Sequence, residues 1–167
     1  MSGLSSLHVV IADDNENMRR ILTAMLKGAG VRHIYPCANG YEAIIAVQRY
    51  SVDIAVVDLN MEPVSGLEFT RFMRNSELSK NPYLPIILMT GNADRSRVLK
   101  ARDVGVHEVM VKPVTPKAVL GRFQSVLGKP RAFVRTPRYF GPDRRRMDVD
   151  FEGPDRRAGR GAESDAA

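Results

Sequence analysis

Short apolar segments alternate with amphipathic segments through residues 1–128, and this alternation restricts the fold more than any other feature of the sequence. The apolar segments are rich in β-branched residues and predict five strands, at 7–12, 32–37, 53–58, 85–90 and 107–112. The remaining segments predict five helices, at about 16–28, 40–50, 66–75, 94–104 and 116–127. Five successive strand–helix units predict an α/β fold, a doubly wound five-stranded parallel sheet with helices on both faces.

Polar residues follow or end four of the predicted strands: Asp13 and Asp14, Asp58, Thr90, and Lys112. The carboxyl ends of parallel strands meet at one edge of the sheet, where ligands bind. Three carboxylates placed together raise one another's pKa unless a cation lies among them, and Mg²⁺ prefers such oxygen ligands. The pattern predicts a phosphoryl pocket in which Asp58 is the nucleophile while Thr90 and Lys112 contact the phosphoryl oxygens. Alternatively, each aspartate is an ordinary helix cap or strand-end residue.

The same segments resemble the CheY-like receiver domains of two-component signalling. The resemblance covers about residues 6–128 and rests on VVIADDNE, VVDLNMEPVSGLE, ILMTGN and VMVKPV. It implies a flavodoxin-like receiver fold with Asp58 as the phosphoacceptor, and Asp14, Asp58 and the Asn60 backbone carbonyl as Mg²⁺ ligands assisted by Asp13. Thr90 and Lys112 would then contact the phosphoryl group. The implied donor is a histidine kinase or phosphotransfer protein, so the chain is expected to be a phosphoacceptor at most and not an enzyme.

Two positions depart from the receiver pattern. Proline is displaced by one residue in Met61-Glu62-Pro63, although Gly66 stays in register. Val109 occupies the position, three residues before Lys112, where many receivers carry a tyrosine or phenylalanine that moves inward on phosphorylation. We therefore expect the pocket chemistry to be intact and the output to use another route.

Residues 129–167 form the second predicted unit and differ in composition from the first. Between Lys129 and Arg160 there are ten basic and five acidic residues, and nine of the ten basic residues are arginine. The motif aromatic-x-Gly-Pro-Asp-Arg-Arg begins at Tyr139 and again at Phe151, and residues 147–151 between the copies alternate like a short strand. Because this composition is typical of disorder, we predict a tail that is disordered without ligand.

Two matched Asp-Arg-Arg units suit a symmetric ligand that has two guanines and two phosphates. Arginine binds guanine O6 and N7 bidentately, stacks on purines and contacts phosphates. Arg145 to Asp148 is an R-x-x-D sequence, resembling the product-inhibition site of diguanylate cyclases. We therefore predict a cyclic di-GMP site formed by Tyr139, Arg144, Arg145, Arg146, Asp148, Asp150, Asp155, Arg156 and Arg157, with Asp143 as a weaker candidate. The other arginines are predicted to be screening charges or phosphate contacts: Arg131, Arg135 and Arg138.

A receiver with such an extension resembles the Cle group of bacterial CheY-like cyclic di-GMP effectors. The resemblance implies that the tail binds the dinucleotide and that the protein then acts at the flagellar motor switch, controlling motility or surface attachment. The single Cys37 excludes an internal disulfide, and no secretory signal or membrane-spanning segment is found. We therefore expect a cytoplasmic protein, recruited to the motor at the cell pole, that binds neither membranes nor DNA.

Two other functions are compatible with the sequence. A stand-alone response regulator or phosphate sink would depend on Asp58 and would not need the tail. A nucleic-acid binder would use the tail electrostatically and show steep salt dependence. The duplicated motif favours neither of them, because neither requires it, and its aspartates would repel a phosphate backbone.

Overall fold

Five parallel strands form the central sheet of the computed structural model, which describes residues 3–92 and 94–145. They are β1 (His8–Ala12), β2 (His33–Cys37), β3 (Ile54–Asp58), β4 (Ile86–Thr90) and β5 (Glu108–Val111), in the spatial order β2-β1-β3-β4-β5. All five predicted strands are confirmed, and their ends differ from the predictions by one residue at most. β3 is buried along its whole length, as expected for the central strand of a sheet covered on both faces.

Five α-helices cover the sheet: α1 (Glu16–Gly28), α2 (Gly40–Arg49), α3 (Gly66–Asn75), α4 (Arg95–Val104) and α5 (Pro116–Gly128). A short 3₁₀ helix (Leu4–Ser6) precedes β1. At each α-helix the side chain of the preceding residue accepts a backbone N–H of the first turn, which explains why the helices begin where the sequence predicts. The caps are Asn15, Asn39, Ser65, Asp94 and Thr115.

The two faces of the sheet bury separate apolar cores. One core packs α1 and α5 against the sheet through residues such as Leu22 and Phe123. The other packs α2, α3 and α4 through residues such as Ala43, Phe69 and Ala101. In the described part of the chain, no helix has both the length and the apolar character that a membrane crossing requires. The predicted doubly wound architecture is therefore confirmed, with one carboxyl edge left for a site.

A two-stranded antiparallel sheet follows α5. Its strands are β6 (Phe133–Thr136) and β7 (Tyr139–Pro142), and β7 contacts α3 and α4. The structure corrects the prediction for one stretch only: residues 133–142, which lie in the segment predicted to be a disordered tail, form this packed hairpin. The hairpin is held because Phe140 packs against Tyr83 and is almost fully buried, with only 7% of its surface exposed.

The remaining predictions for the tail fall on residues 146–167, which lie outside the described residues. They include the second motif copy, the predicted strand at 147–151, and the candidate ligand residues Arg146, Asp148, Asp150, Asp155, Arg156 and Arg157. All of these stay predictions.

Candidate functional site

Three carboxylates lie together at the carboxyl edge of the sheet. Asp13 and Asp14 follow β1 and Asp58 ends β3, which is the neighbour of β1 in the sheet. One carboxylate oxygen from each of the three lies within 4.8 Å of the others. Asp13 is fully buried and Asp58 is 5% exposed, whereas Asp14 is exposed. The sequence predicted this group, and the parallel register of β1 and β3 brings it together.

Lys112 bridges two of these carboxylates. Its Nζ lies 2.9 Å from Asp13 Oδ2 and 3.0 Å from Asp58 Oδ1. Burial raises the pKa of Asp58, and the charges of Asp13 and Asp14 add to that effect, while Lys112 opposes it. Burial acts to lower the pKa of Lys112, but its bonds to Asp13 and Asp58 prevail and raise the pKa above the ordinary value. The pocket therefore holds the Lys112 ammonium group against the Asp58 carboxylate, whose negative charge is unfavourable to bury.

Thr90 and Asn60 lie beside this group. Thr90 is buried, and its hydroxyl donates to the Asn92 backbone carbonyl at 2.8 Å. Asn60 lies two residues beyond Asp58, is exposed, and borders an open depression together with Asp14. The structure therefore brings every predicted pocket residue to the same edge of the sheet.

Gly66 allows the turn between β3 and α3 to pass close to the pocket. A Cβ at this position would collide with the backbone carbonyl oxygen of Asp58. The backbone N–H of Gly66 donates to the Leu59 carbonyl, which fixes the start of α3 behind the acidic group. Close packing, and not an unusual backbone angle, therefore requires glycine at position 66.

The residues of the pocket fit a hard divalent cation. Oxygen ligands from Asp13, Asp14 and Asp58 converge from one side, and the open depression beside Asn60 leaves room for water ligands. When bound, Mg²⁺ would neutralise part of the negative charge that gathers around a phosphoryl group. The acidic group is therefore a suitable site for Mg²⁺.

The hairpin is anchored by Arg74 at the end of α3. Its guanidinium is buried and donates to three backbone carbonyls, those of Gly105, Pro82 and Leu84, at 2.7–2.9 Å. The ring of Phe133 covers this guanidinium at 5.1 Å. Burial lowers the pKa of Arg74 to about 10, so the group stays charged at neutral pH. A buried cation beneath an aromatic ring gives the hairpin a fixed docking point.

A second anchor joins the start of the tail to β5. Arg131 Nη2 lies 3.1 Å from Glu108 Oε1, and Arg122 on α5 lies 3.4 Å from the other oxygen of the same buried carboxylate. Arg135 packs over the Phe140 ring at 4.1 Å. Arg131 and Arg135 therefore hold the hairpin in place, a role that the sequence analysis missed. The signal available was Glu108, a carboxylate next to the apolar run of a predicted strand.

The first copy of the repeated motif has a defined internal geometry. The Tyr139 hydroxyl donates to the Pro142 carbonyl at 2.8 Å, and the Arg144 guanidinium lies over the Tyr139 ring at 4.4 Å. Asp143 accepts the Arg145 backbone N–H at 3.0 Å and also binds the Arg145 guanidinium through both carboxylate oxygens. Hydrogen bonds from Arg145 lower the pKa of Asp143, which therefore stays ionised. Tyr139 therefore holds Arg144, and Asp143 holds Arg145.

The strand order, the acidic edge and the bridging lysine together are typical of a class of protein, namely those that receive a signal as a phosphoryl group on a carboxylate. The chain belongs to the response regulator receiver domain family, whose model matches residues 9–124. It is the receiver domain of a CheY-like response regulator in two-component signalling.

Chemotaxis proteins are among the similar sequences and structures. Chemotaxis protein CheY of Pseudomonas aeruginosa is 28% identical over 120 residues, which cover 72% of this chain and 95% of that protein. Chemotaxis protein CheY1 of Helicobacter pylori is 28% identical and covers 73% of this chain and 98% of its own length. The structure of chemotaxis protein CheY4 of Vibrio cholerae superposes with a TM-score of 0.66 at 28% identity, covering 72% of this chain and 98% of its own. The family match ends before β6, so it does not include the hairpin.

Proposed function

We propose that this protein is a bacterial signalling effector in which the arginine-rich segment binds cyclic di-GMP and the liganded protein then docks on the flagellar motor switch. The observation that carries the proposal is the first motif copy, in which two neighbouring arginines are each held by a residue of the motif itself. A solvated charged tail has no need of such geometry. The arrangement is that of a surface built to present planar cations.

The receiver would supply a second input. In this reading Asp58 accepts a phosphoryl group from a histidine kinase or phosphotransfer protein, and its carboxylate forms the bond to phosphorus as the donor's bond breaks. Lys112 Nζ, which lies 3.0 Å from Asp58, would stabilise the charge on the phosphoryl oxygens. The Thr90 hydroxyl would exchange its bond to Asn92 for one to a phosphoryl oxygen. Asp13, Asp14, Asp58 and the Asn60 carbonyl would hold Mg²⁺.

The arginine-rich segment would supply the ligand site. Arg144 and Arg145 of the first copy would contact guanine or phosphate, and Arg156 and Arg157 of the second copy would repeat those contacts on the other half of the ligand. Cyclic di-GMP is two-fold symmetric with two guanines and two phosphates, which matches a duplicated arginine pair. The proposed ligand set is completed by Tyr139, Arg146, Asp148, Asp150 and Asp155. A receiver with an arginine-rich extension of this kind resembles the Cle group of effectors.

Docking on the motor switch is supported by the names of the relatives, which are chemotaxis proteins. Val109 replaces the aromatic residue that many receivers use to transmit phosphorylation, so the liganded tail is the more suitable output surface. On this proposal, the protein resides in the cytoplasm and is recruited to the motor at the cell pole.

The test is calorimetric titration of cyclic di-GMP into the whole protein, with GMP and cyclic di-AMP as controls. We expect saturable binding of cyclic di-GMP and no comparable heat from either control. A double variant, Arg145→Ala with Arg157→Ala, should lose at least about 100-fold in affinity, because each copy loses one charge-assisted contact. Equal binding of cyclic di-AMP, or an unchanged affinity of the double variant, would contradict the proposal.

A further inference from the structure

We infer that the receiver body forms part of the dinucleotide site, because Asp103 on α4 and Tyr139 on β7 position the Arg144 guanidinium for its ligand. The inference rests on the proposed function and adds positioning residues to it. The tail therefore does not bind the ligand independently of the receiver. The site is built across the contact between them.

Two contacts hold Arg144 in different ways. Its guanidinium stacks on the Tyr139 ring at 4.4 Å, which fixes the plane of the group. Its Nη1 lies 3.0 Å from Asp103 Oδ1, which fixes the rotation of the group within that plane. Asp103 contacts only one of the Arg144 nitrogens, Nη1. Guanine recognition requires two N–H donors on one edge of the guanidinium. With 48% of the Arg144 side chain exposed, a ligand can reach the rest of the guanidinium.

The Tyr139 ring is itself held in place. Its hydroxyl donates to Pro142, and the ring lies against Gly141, where a Cβ would come within 2.5 Å of the hydroxyl oxygen and 2.9 Å of the Gly105 Cα. The glycine of the motif is therefore needed for the ring to fold back over the strand and for the strand to reach α4. This arrangement favours Tyr139 as a support for Arg144 rather than as a residue that stacks on a base.

Asp103 belongs to the receiver and not to the motif. It lies in the last turn of α4, two residues before Gly105, whose carbonyl accepts the Arg74 side chain that anchors the hairpin. The Asp103 side chain is 60% exposed, and an exposed ion pair of this kind adds little to folding stability. Its contact with Arg144 therefore acts mainly on how that arginine is presented.

Fixing a flexible cation before binding lowers the entropic cost of binding, so losing either support should weaken affinity by about three- to tenfold. Simple electrostatics predicts the opposite sign for Asp103. Cyclic di-GMP is anionic, so removing any nearby negative charge should strengthen its binding. The sign of the effect at Asp103 therefore distinguishes positioning from bulk charge.

The experiment is titration of cyclic di-GMP into full-length wild type, Asp103→Asn and Glu77→Gln. Glu77 is an exposed carboxylate in the loop after α3, so its variant makes the same charge change at a residue other than the ion-pair partner of Arg144. We expect Asp103→Asn to bind about three- to tenfold more weakly and Glu77→Gln to bind as wild type or slightly more tightly. The thermal unfolding midpoints of all three should agree, because no buried contact is lost.

Two further comparisons separate positioning from stability. Tyr139→Phe keeps the ring, as the second motif copy does with Phe151, and should retain affinity, whereas Tyr139→Leu should lose it. In an Arg144→Lys background, Asp103→Asn should change the affinity by less than about twofold, since the planar group it positions is gone.

The outcomes of this experiment are distinct. If wild type does not bind, the proposed function fails and this inference fails with it. If wild type binds and Asp103→Asn binds equally well or more tightly, the inference is overturned while the proposed function stands. A Tyr139→Leu variant that unfolds does not affect the test, because the Asp103 comparison involves no change inside the hairpin.

Discussion

The acidic pocket and the first arginine motif both bring several charged side chains together, yet they are assembled in opposite ways. The pocket gathers Asp13, Asp58 and Lys112 from distant parts of the chain, and burial makes their charges strongly dependent on one another. The motif gathers Tyr139 to Arg145 from seven consecutive residues at the surface. Only the sheet could make the first site, whereas the second is largely local and needs the receiver chiefly for its orientation.

The two sites also use different cations. The pocket holds a lysine, whose compact ammonium fits between two carboxylates in a confined space. The motif holds arginines, whose planar groups stack on a ring or pair with both oxygens of a carboxylate. If the proposed function holds, this difference suits transfer of a phosphoryl group in one site and recognition of a flat base in the other. β5 lies between them, with Glu108 at the hairpin end and Lys112 just beyond the other end.

The largest expected effect separates the two sites completely. Asp58→Asn should abolish phosphoryl incorporation from a small donor such as acetyl phosphate, because an amide lacks the nucleophilic carboxylate oxygen. Cyclic di-GMP affinity should stay within about twofold of wild type, because residues far apart act independently in the first approximation. Intact-protein mass spectrometry measures the first quantity and calorimetry the second. Incorporation that persists in Asp58→Asn would show that the acceptor is another residue.

Removal of the metal should affect the pocket alone. Chelation of Mg²⁺ should slow phosphoryl incorporation by about 100-fold, because the cation neutralises charge that otherwise repels the donor. Asp14→Asn should raise the Mg²⁺ concentration needed for half-maximal incorporation by about tenfold, since one charged oxygen ligand is lost. Glu62→Gln is the matched control, because this exposed glutamate lines the same open depression outside the carboxylate group. Equal shifts in the two variants would indicate a diffuse charge effect rather than a metal site.

Truncation tests whether the hairpin belongs to the receiver. A chain ending at Gly128 should lose about 2–4 kcal/mol in its free energy of unfolding, because Phe140 and the cover over Arg74 are removed. A chain ending at Arg145 should stay within about 0.5 kcal/mol of the full-length protein, because it keeps both anchors. Urea unfolding followed by circular dichroism compares the three proteins. Equal stability of the two shortened chains would mean that the hairpin contributes nothing to the receiver.

The smallest effect is a pH dependence that arises beneath the hairpin. Burial, together with the charges of Arg74 and Arg131, lowers the pKa of His107 to about 3, and its Nδ1 accepts the Ile86 backbone N–H. The unfolded chain, with a histidine pKa near 6.5, binds more protons than the folded chain between those two values. Stability from this group is therefore full above about pH 6.5 and is lost as the pH falls toward 3.

At pH 5 the loss relative to pH 8 should be about 2 kcal/mol. A His107→Gln variant, compared with wild type at both pH values, isolates this contribution from that of the other titrating groups. The variant should show a weaker decline in unfolding free energy between pH 8 and pH 5. An identical decline in the two proteins would mean that His107 is not held neutral by its surroundings.

The sequence predicted the receiver almost completely because its signals are local and repeated. Five apolar strands, five capped helices and polar residues at four strand ends together allow few alternative folds. It did not predict the hairpin, because its apolar residues form only two very short runs, at 132–134 and 139–140, in a segment rich in arginine and proline. Their burial depends on Arg74 and Tyr83, which lie 50 to 66 residues earlier in the chain.

What the sequence alone determined is the class of fold, the carboxyl edge that carries the chemistry, and the existence of a duplicated arginine motif. Periodicity and spacing are sufficient for these features, because hydrogen bonding and side-chain direction repeat regularly along a strand or helix. Tertiary structure decided which charges meet outside the pocket: Arg131 with Glu108, and Arg144 with Asp103. An ion pair between distant residues has no periodic signature, because its partners become neighbours only after the sheet and helices have packed.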